Sequence, residues 1–183
     1  MKSLITVLLL FTLWVPGLYS DQNSPQLDAL FDTLQNNATT PGQAQVVTSE
    51  IWQQWLKTDN EEAGRLMSLG ISEMNQLSLR KAAEIFTSLI ELKPGFAEAW
   101  NKRATVYYMM GELDLSTADV AETLKLEPRH FGALSGQGLI YLQLGQRQAA
   151  VRWFKRALEV NPFMDNIRMS VEQLEEEIRG KII

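Results

Sequence analysis

Few side chains in this 183-residue chain are suited to bond-making chemistry. The chain has no cysteine and a single histidine, His130. A thiol nucleophile or a disulfide is therefore excluded, and one histidine is too few for a histidine-rich metal site. His130 follows Arg129 at a corner where a helix is expected to begin, which is typical of a surface or capping histidine. We expect no catalytic residues, no metal ligands and no cofactor.

Two further patterns are weak signs of chemistry. Gly136-Gln137-Gly138 is part of a glycine-rich spacing, but it falls within a predicted helix and lacks the preceding strand and third glycine of a phosphate-binding loop. Glu112 and Asp114 lie at a predicted turn without a paired acid. The net charge of -5 leaves no basic surplus for nucleic-acid phosphates. We predict that the protein is not an enzyme and does not bind nucleic acid.

The N-terminal segment, residues 1–20, differs from the rest of the chain. Lys2 precedes a mostly apolar run at residues 4–15, which is followed by Pro16 and Ser20. This pattern is typical of a secretory signal peptide, and the run is shorter than the about 20 apolar residues of a membrane-spanning helix. We expect cleavage after Ser20 and no membrane span afterwards. The mature chain would be periplasmic in a Gram-negative source and otherwise secreted. The alternative is that residues 1–20 are retained as an anchor.

A fixed period organises most of the remaining sequence. Pro94, Pro128 and Pro162 are equally spaced, and the same shift aligns several columns of small, aromatic and glycine residues. The aligned sets are Gly70, Ala104 and Gly138; Tyr107 and Tyr141; Gly111 and Gly145; Ala82, Ser116 and Ala150; and Phe86, Val120 and Phe154. A fixed period of this length indicates a repeat architecture.

The pattern resembles the tetratricopeptide repeat, a 34-residue helix-turn-helix unit with the signature W-x2-L-G-x2-Y, then A-x3-F, then Pro. The resemblance assigns three units, at residues 63–96, 97–130 and 131–164. The third unit matches best. The first is the most degenerate, with Glu73 at the tyrosine position and Leu77 at the turn glycine. The implied fold is all-α, a right-handed α-solenoid, and the alternative is an unrelated helical bundle.

Elementary packing supports the same units. Small residues at the crossing columns let the two helices of a unit approach closely, while Phe86 and Phe154 fill the space beside them. Gly111 can adopt the left-handed conformation that ends a helix. Ser78 and Asp114 are placed to cap the second helices. Each proline removes a backbone donor and ends the second helix of its unit.

Both flanks are predicted to be helical caps, because the end units of a solenoid otherwise expose an apolar face. Residues 21–62 contain two apolar stripes, formed by Leu27, Leu30, Phe31 and Leu34 and, after Pro41, by Val47, Ile51 and Trp55. The pair is either an irregular cap or a decayed repeat. Trp52 and Trp55 share a helix with the second stripe, so we interpret them as core rather than ligand-stacking residues. Thr58 and Glu61 have the spacing of a capping box.

The C-terminal flank, residues 165–183, is predicted to contain a capping helix at 165–180. Its apolar residues recur at steps of four, three and four, which forms one stripe along a helix. They are Ile167, Val171, Leu174 and Ile178. The glutamates between them are interpreted as a solvated face.

The resemblance also implies a function. Stacked leading helices line a concave face that holds an extended peptide or a partner helix in such proteins. If the packing columns of each leading helix face the second helix, the inner face is mostly apolar. It comprises Met67, Ile71, Met74, Asn101, Thr105, Tyr108, Met109, Ser135, Leu139, Leu142 and Gln143. Because methionines adapt to irregular surfaces, this lining suits an amphipathic helix or a hydrophobic peptide better than an acidic one.

Some domains of this family grip the terminal carboxylate of a chaperone with Lys, Asn and Arg side chains. The matching positions here hold Met67, Ile71, Lys102, Gly132 and Gly136, so only Lys102 could contribute. We do not predict that activity. We predict a non-catalytic adaptor that binds an unidentified protein or peptide in its groove. The alternative is a structural homo-oligomer, such as a homodimer, whose groove is filled by a terminal helix of its own or of a second copy.

Overall fold

The computed structural model describes residues 24–180. Within that range it contains nine α-helices and no β-strand, which confirms the all-α prediction. The predicted signal peptide lies outside the described residues. The helices are α1 (Pro25–Leu34), α2 (Pro41–Leu56), α3 (Glu61–Asn75), α4 (Leu79–Leu92), α5 (Ala97–Met110), α6 (Leu113–Leu126), α7 (Phe131–Gln143), α8 (Arg147–Val160) and α9 (Asp165–Gly180).

Three packed helix pairs follow one another along the chain: α3 with α4, α5 with α6, and α7 with α8. The helices α5, α7 and α9 begin at Ala97, Phe131 and Asp165, which are as equally spaced as the three prolines. A proline lies at each corner between one pair and the next helix. Because proline has no backbone donor, it ends the second helix and turns the chain into the next unit. The stack is a right-handed α-solenoid.

The two helices of the first and third pairs cross at a glycine packed on a phenylalanine ring. A Cβ added at Gly70 would lie 2.5 Å from Phe86 Cε1, and one at Gly138 would lie 2.4 Å from Phe154 Cδ1. Both rings are fully buried. Only a residue without a side chain therefore allows the helix backbone to approach the ring this closely.

The middle pair forms the same crossing with different volumes. Ala104 and Val120, each 3% exposed, pack in one buried cluster. The hydroxyl of Ser116 donates a 2.8 Å hydrogen bond to the backbone carbonyl of Ala104, so this buried polar group is satisfied. Compared with the other two pairs, the leading helix here has alanine in place of glycine, which adds one methyl group. The second helix compensates with valine in place of phenylalanine.

The turns within the pairs use the left-handed backbone conformation. Gly111 has φ 80° and Gly145 has φ 73°, as predicted from their alignment. In the first pair the same role falls to Leu77, at φ 60°. A side chain in this region costs roughly 1–2 kcal/mol. Because Leu77 is 70% exposed, little burial offsets that cost.

The predicted side-chain caps of the second helices are wrong. Ser78 is the N-cap residue of α4, but its side chain makes no capping hydrogen bond. Asp114 lies in the first turn of α6, whose N-cap residue is Glu112, also without a side-chain cap. The two N-cap residues have ψ of 58° and 67°, rather than the extended value at which a capping side chain reaches the first turn. The tight turn between the two helices of a pair imposes these ψ values.

The N-terminal helices α1 and α2 pack on each other, on the start of α7 and on the corner between α8 and α9, and α2 also contacts α5. Their apolar stripes are buried as predicted, in one cluster with Phe131 at the start of α7. Val160, Phe163 and Met164, at the corner between α8 and α9, pack against the same cluster. The α1–α2 pair therefore covers the beginning of the third unit rather than extending the stack in front of the first.

Polar contacts hold α1 and α2 in that position. The guanidinium of Arg129 donates a 2.7 Å hydrogen bond to Asp28, and the amide of Asn161 donates one of 3.3 Å to Thr48. The chain then enters α3, which is capped by Asn60 and not by the predicted capping box of Thr58 and Glu61. Asn60 is closer to the first turn than Thr58 is, and its side-chain amide oxygen accepts a hydrogen bond from the backbone N–H of Ala63.

The terminal helix α9 packs on α8, as expected for a capping helix. Ile167, Val171 and Leu174 are buried in a cluster with Phe154. Ile178 is partly buried at the edge of this cluster. The apolar residues at the end of the stack are thereby covered.

Candidate protein-binding groove

The inner face of the solenoid contains a cavity of about 140 Å³ between α5 and α7. Five of the predicted groove residues line it together: Asn101, Thr105, Tyr108, Ser135 and Leu139. They meet because α5 and α7 are the leading helices of neighbouring units, so residues one repeat apart occupy the same position on each helix. The remaining lining residues are Ala104, Ser116, Val120, Gly132 and Gly136.

The first unit does not contribute to this cavity. Met67 belongs to the hydrophobic core of the first pair and does not line the cavity. Ile71 and Met74 are partly buried against the same core. The long Met67 side chain lies in a cluster with Phe96 and Ala99, where the chain enters α5. Met67 thus faces the next unit rather than the cavity.

Three other predicted residues lie at the C-terminal ends of the leading helices. Met109 is 42% exposed, and Gln143 is also exposed; neither lines the cavity between α5 and α7. Leu142 borders a separate cavity of about 190 Å³ against α9, together with Ser170 and Gln173. The predicted lining is therefore divided among different parts of the surface.

A larger cleft of about 720 Å³ lies beside the groove, between α2, α7 and the corner of α8 and α9. It shares Gly132 and Ser135 with the smaller cavity, so the two adjoin. Sequence reasoning missed this cleft because most of its walls lie outside the aligned columns. The other lining residues are Pro41, Gly42, Gln45, Thr48, Trp52, Phe131, Asn161, Phe163, Met164, Asp165, Asn166 and Arg168.

Two tryptophans of α2 attach this helix to the start of α7. The Trp55 indole stacks on the imidazole of His130, with ring centroids 4.0 Å apart and an interplanar angle of 11°. Trp52 lies edge-on to Phe131 at 5.3 Å. A Cβ at Gly132 would approach the Trp52 ring to 2.5 Å, so glycine is required there. Trp55 is a core residue, as interpreted, whereas Trp52 is partly buried and also lines the cleft.

His130 is fully buried, so the prediction of a surface histidine is wrong and that of a capping histidine is confirmed. Its Nδ1 accepts a 3.0 Å hydrogen bond from the backbone N–H of Ala133. The ring proton is therefore on Nε2, which donates to Glu98 Oε2 at 2.8 Å. The histidine thus links α5 to α7.

Glu98 is a buried carboxylate with three partners. Its Oε1 is 2.9 Å from Lys102 Nζ, and its Oε2 accepts hydrogen bonds from His130 and, at 3.0 Å, from the side-chain amide of Asn101. Burial raises the pKa of the Glu98 carboxyl, but the hydrogen bond from His130 and the charge of Lys102 outweigh it, so the pKa lies below its ordinary value of 4.5. The group is a structural anion.

The basic residues near the groove are engaged within the chain. Lys102 pairs with Glu98 and lies 5.5 Å from the centroid of the Trp52 ring. Arg103 donates two hydrogen bonds, of 2.8 and 2.9 Å, to the carboxylate of Asp119. Among the positions that match the family residues binding a chaperone's terminal carboxylate, only Lys102 carries a positive charge. Binding a carboxylate with Lys102 is unfavourable, because its ion pair with Glu98 would have to be broken.

The described residues show no grouping of histidine, cysteine or carboxylate side chains that could hold a metal ion. Over the same residues, no helix is both long and apolar enough to cross a bilayer. The groove and the cleft are lined mainly by apolar and uncharged polar side chains, and the ion pair of Asp165 and Arg168 lies in the cleft.

The fold and the groove define a helical repeat solenoid with a cavity between neighbouring leading helices. The family model described as "Tetratricopeptide repeat" matches residues 131–163. A TPR repeat-containing protein of Rhizobium etli is 31% identical over 161 residues, which are 88% of this chain and 78% of that protein. The chain belongs to the tetratricopeptide repeat family.

More distant relatives and solved structures agree with this assignment. The small glutamine-rich tetratricopeptide repeat-containing protein 2 of Mycosarcoma maydis is 24% identical over 120 residues, 66% of this chain and 34% of that protein. The first TPR of Spaghetti, bound to the HSP90 peptide SRMEEVD, superposes with a TM-score of 0.62 at 18% identity, covering 67% of this chain and 97% of that one.

The Yersinia enterocolitica type III secretion chaperone SycD, in complex with a peptide of the translocator YopD, gives a TM-score of 0.61 at 14% identity. The superposition covers 65% of this chain and 96% of that one. At these identities the structures are similar in fold alone.

Proposed function

We propose that this protein is a non-catalytic adaptor of the cell envelope or secreted space, which binds a partner protein through its concave face. The observation that carries the proposal is the groove between α5 and α7, in which Leu139 remains 39% exposed. An exposed apolar side chain in a concave surface favours a binding site over a solvated face. The superposed structures of Spaghetti and SycD hold peptides, which supports the same role for this chain.

Export rests on residues 1–20, whose charged start, apolar run and small terminal residue are typical of a signal peptide. Intact-mass measurement of the exported protein tests this part. A mass lacking residues 1–20 supports cleavage, whereas the full mass favours a retained anchor.

A second candidate function is a structural homo-oligomer whose groove is filled by a terminal helix. It is favoured by one contact, that of Trp52 with Gly132, since it places α2 over the start of α7. The cavity at Tyr108 and Leu139 is nevertheless left open by α2. We therefore prefer the adaptor. Light scattering separates the two: a monomer at micromolar concentration counts against the oligomer.

The groove is tested by affinity capture from the native envelope extract, followed by mass spectrometry. We expect Tyr108→Ala and Leu139→Glu to lose the captured partner while the helix content by circular dichroism is retained. Leu115→Glu is the matched control, because Leu115 is similarly exposed, at 49%, on α6 and does not line the groove cavity. If both groove variants capture the partner as well as the control does, the concave-face proposal is refuted.

A further inference from the structure

We infer that the binding site continues out of the repeats into the cleft beside α2, and that it takes an extended, uncharged peptide segment carrying a large apolar side chain. This inference rests on the proposed function, because it names the class of ligand for the same groove. It also assigns α2, which precedes the repeats, as one wall of the site.

The two cavities adjoin over a floor of small residues on α7. Gly132 and Ser135 line both, Gly136 lines the inner one, and the Trp52 ring packs against Gly132 at the outer end of the floor. A Cβ at Gly136 would meet nothing within 4 Å, so the floor is open at this point. A chain lying over the floor would reach from Leu139 in the groove to Trp52 in the cleft.

The polar side chains along this path favour an extended ligand. An extended segment leaves its backbone N–H and C=O groups unpaired, whereas a helix satisfies most of its own. In the cleft, the exposed side-chain amides of Gln45 and Asn166 can both donate to and accept from such a backbone. In the inner cavity, the hydroxyls of Thr105 and Ser135 already donate to backbone carbonyls of their own helices, so they offer acceptors. The other uncharged polar residues of the lining, Thr48, Asn101 and Asn161, are held by hydrogen bonds within the chain.

The charges along the path exclude an acidic tail. Among the described residues, the only charged ones that line the two cavities are Asp165 and Arg168, which form an ion pair of 2.6 Å. Arg168 also donates to the backbone carbonyl of Pro162. The nearby Lys102 is held by Glu98. A ligand carboxylate entering this site would lose its hydration without gaining an unpaired cation.

Apolar surface is available in the cleft for a large side chain. Trp52, Phe163 and Met164 line it and are only partly buried. Trp52 is positioned by its edge-on contact with Phe131 and by the ammonium of Lys102. An aromatic wall that is already ordered binds an apolar group without the additional entropy loss of immobilising itself.

Fluorescence polarisation with the full chain and three synthetic probes tests the ligand class. The probes are an array of capped uncharged hexapeptides that vary their two central residues, the acidic peptide SRMEEVD, and an amphipathic helical peptide of about 18 residues. We expect hexapeptides with central Leu, Met, Phe or Trp to bind at least about tenfold more tightly than SRMEEVD and than the hexapeptide with central glycines. Equal or tighter binding of SRMEEVD or of the helical peptide overturns the inference.

Two filling variants test the path. Gly136→Leu projects into the inner cavity and Gln45→Trp into the cleft, and each should weaken the best hexapeptide by at least about tenfold. The matched controls are Gly64→Leu, at an α3 glycine that lines neither cavity, and Gln53→Trp, at an exposed α2 position outside the cleft. The controls should bind as the unmodified chain does.

An unchanged affinity of Gln45→Trp overturns the assignment of the cleft, even if Gly136→Leu blocks binding. The outcome is distinguishable from failure of the proposed function. If Leu139→Glu still abolishes partner capture while no hexapeptide binds, the adaptor proposal stands and this inference fails.

Discussion

Two glycine substitutions on one helix, Gly136→Ala and Gly138→Ala, should differ in stability, with Gly136→Ala the more stable variant. Both lie within α7, so both gain the helix propensity of alanine over glycine, about 1 kcal/mol. At Gly136 the new methyl meets nothing within 4 Å. At Gly138 it would lie 2.4 Å from two atoms of the Phe154 ring, which is fully buried. The second methyl therefore has to displace the ring.

The magnitude follows from these two terms. Overpacking a well-filled core by a small group costs roughly 1–3 kcal/mol. Since the propensity gain is common to both variants, the difference between them isolates the overpacking cost, and Gly136→Ala should be the more stable by about 1–3 kcal/mol. For a chain of this size the two thermal midpoints should differ by roughly 2–12 °C. Gly138→Leu should be destabilised at least as strongly as Gly138→Ala.

The assay is urea unfolding of the full chain, monitored by circular dichroism, with the unmodified chain measured alongside. The reasoning is refuted if Gly138→Ala is as stable as Gly136→Ala. A double variant provides the internal check: adding Phe154→Leu to Gly138→Ala should cost less than Phe154→Leu alone, because the smaller side chain leaves room for the methyl.

Three other substitutions test separate features. Because the pKa of Glu98 is lower in the folded chain, its stabilising contribution is present above about pH 4.5 and is lost as the pH falls below that value. Unfolding free energies measured between pH 6 and 3 should therefore fall less steeply for Glu98→Gln, and an unchanged slope contradicts the assignment. At the middle crossing, Val120→Phe alone should destabilise by roughly 1–3 kcal/mol, and Ala104→Gly in the same chain should recover part of that loss in urea titrations. If the stability is not recovered, the side chains at positions 104 and 120 do not compete for the same space. Leu77→Gly should stabilise by up to about 1 kcal/mol, since it relieves a left-handed leucine; a lower thermal midpoint would show that the exposed side chain contributes more than the strain costs.

The helix pairs could be predicted from sequence because their packing is local. A small residue and its ring, such as Gly138 and Phe154, lie within one unit and recur with the period, so alignment reveals them. The meeting of Asn101 with Ser135 is predictable for the same reason, since neighbouring units repeat one geometry. In contrast, the surroundings of a column are not periodic. Met67, Asn101 and Ser135 share one column and are all buried, but Asn101 and Ser135 line the cavity between α5 and α7, whereas Met67 packs in the core of the first pair.

The surroundings of the cleft could not be predicted from the repeats. Trp52 and Trp55 precede them, and no period relates the two tryptophans to the residues that they contact. His130 occupies an ordinary corner position in the sequence. Its burial depends on Trp55, which lies before the first unit, and on Glu98 at the start of α5. Such contacts are determined by how a non-repeating segment folds back, and only the three-dimensional arrangement reveals them.

The return of α1 and α2 to the third unit has a consequence for how the chain acquires its structure. A solenoid usually folds from contacts between neighbouring units, so each unit can form as soon as it has been synthesised. Here Asp28 meets Arg129 across 101 positions, and Thr48 meets Asn161 across 113. Contacts of this range slow folding, because the intervening chain must first be ordered. The shared apolar cluster of the first two helices lacks Phe131 and the corner between α8 and α9 until the last pair exists, so a chain truncated before α7 should be prone to aggregation.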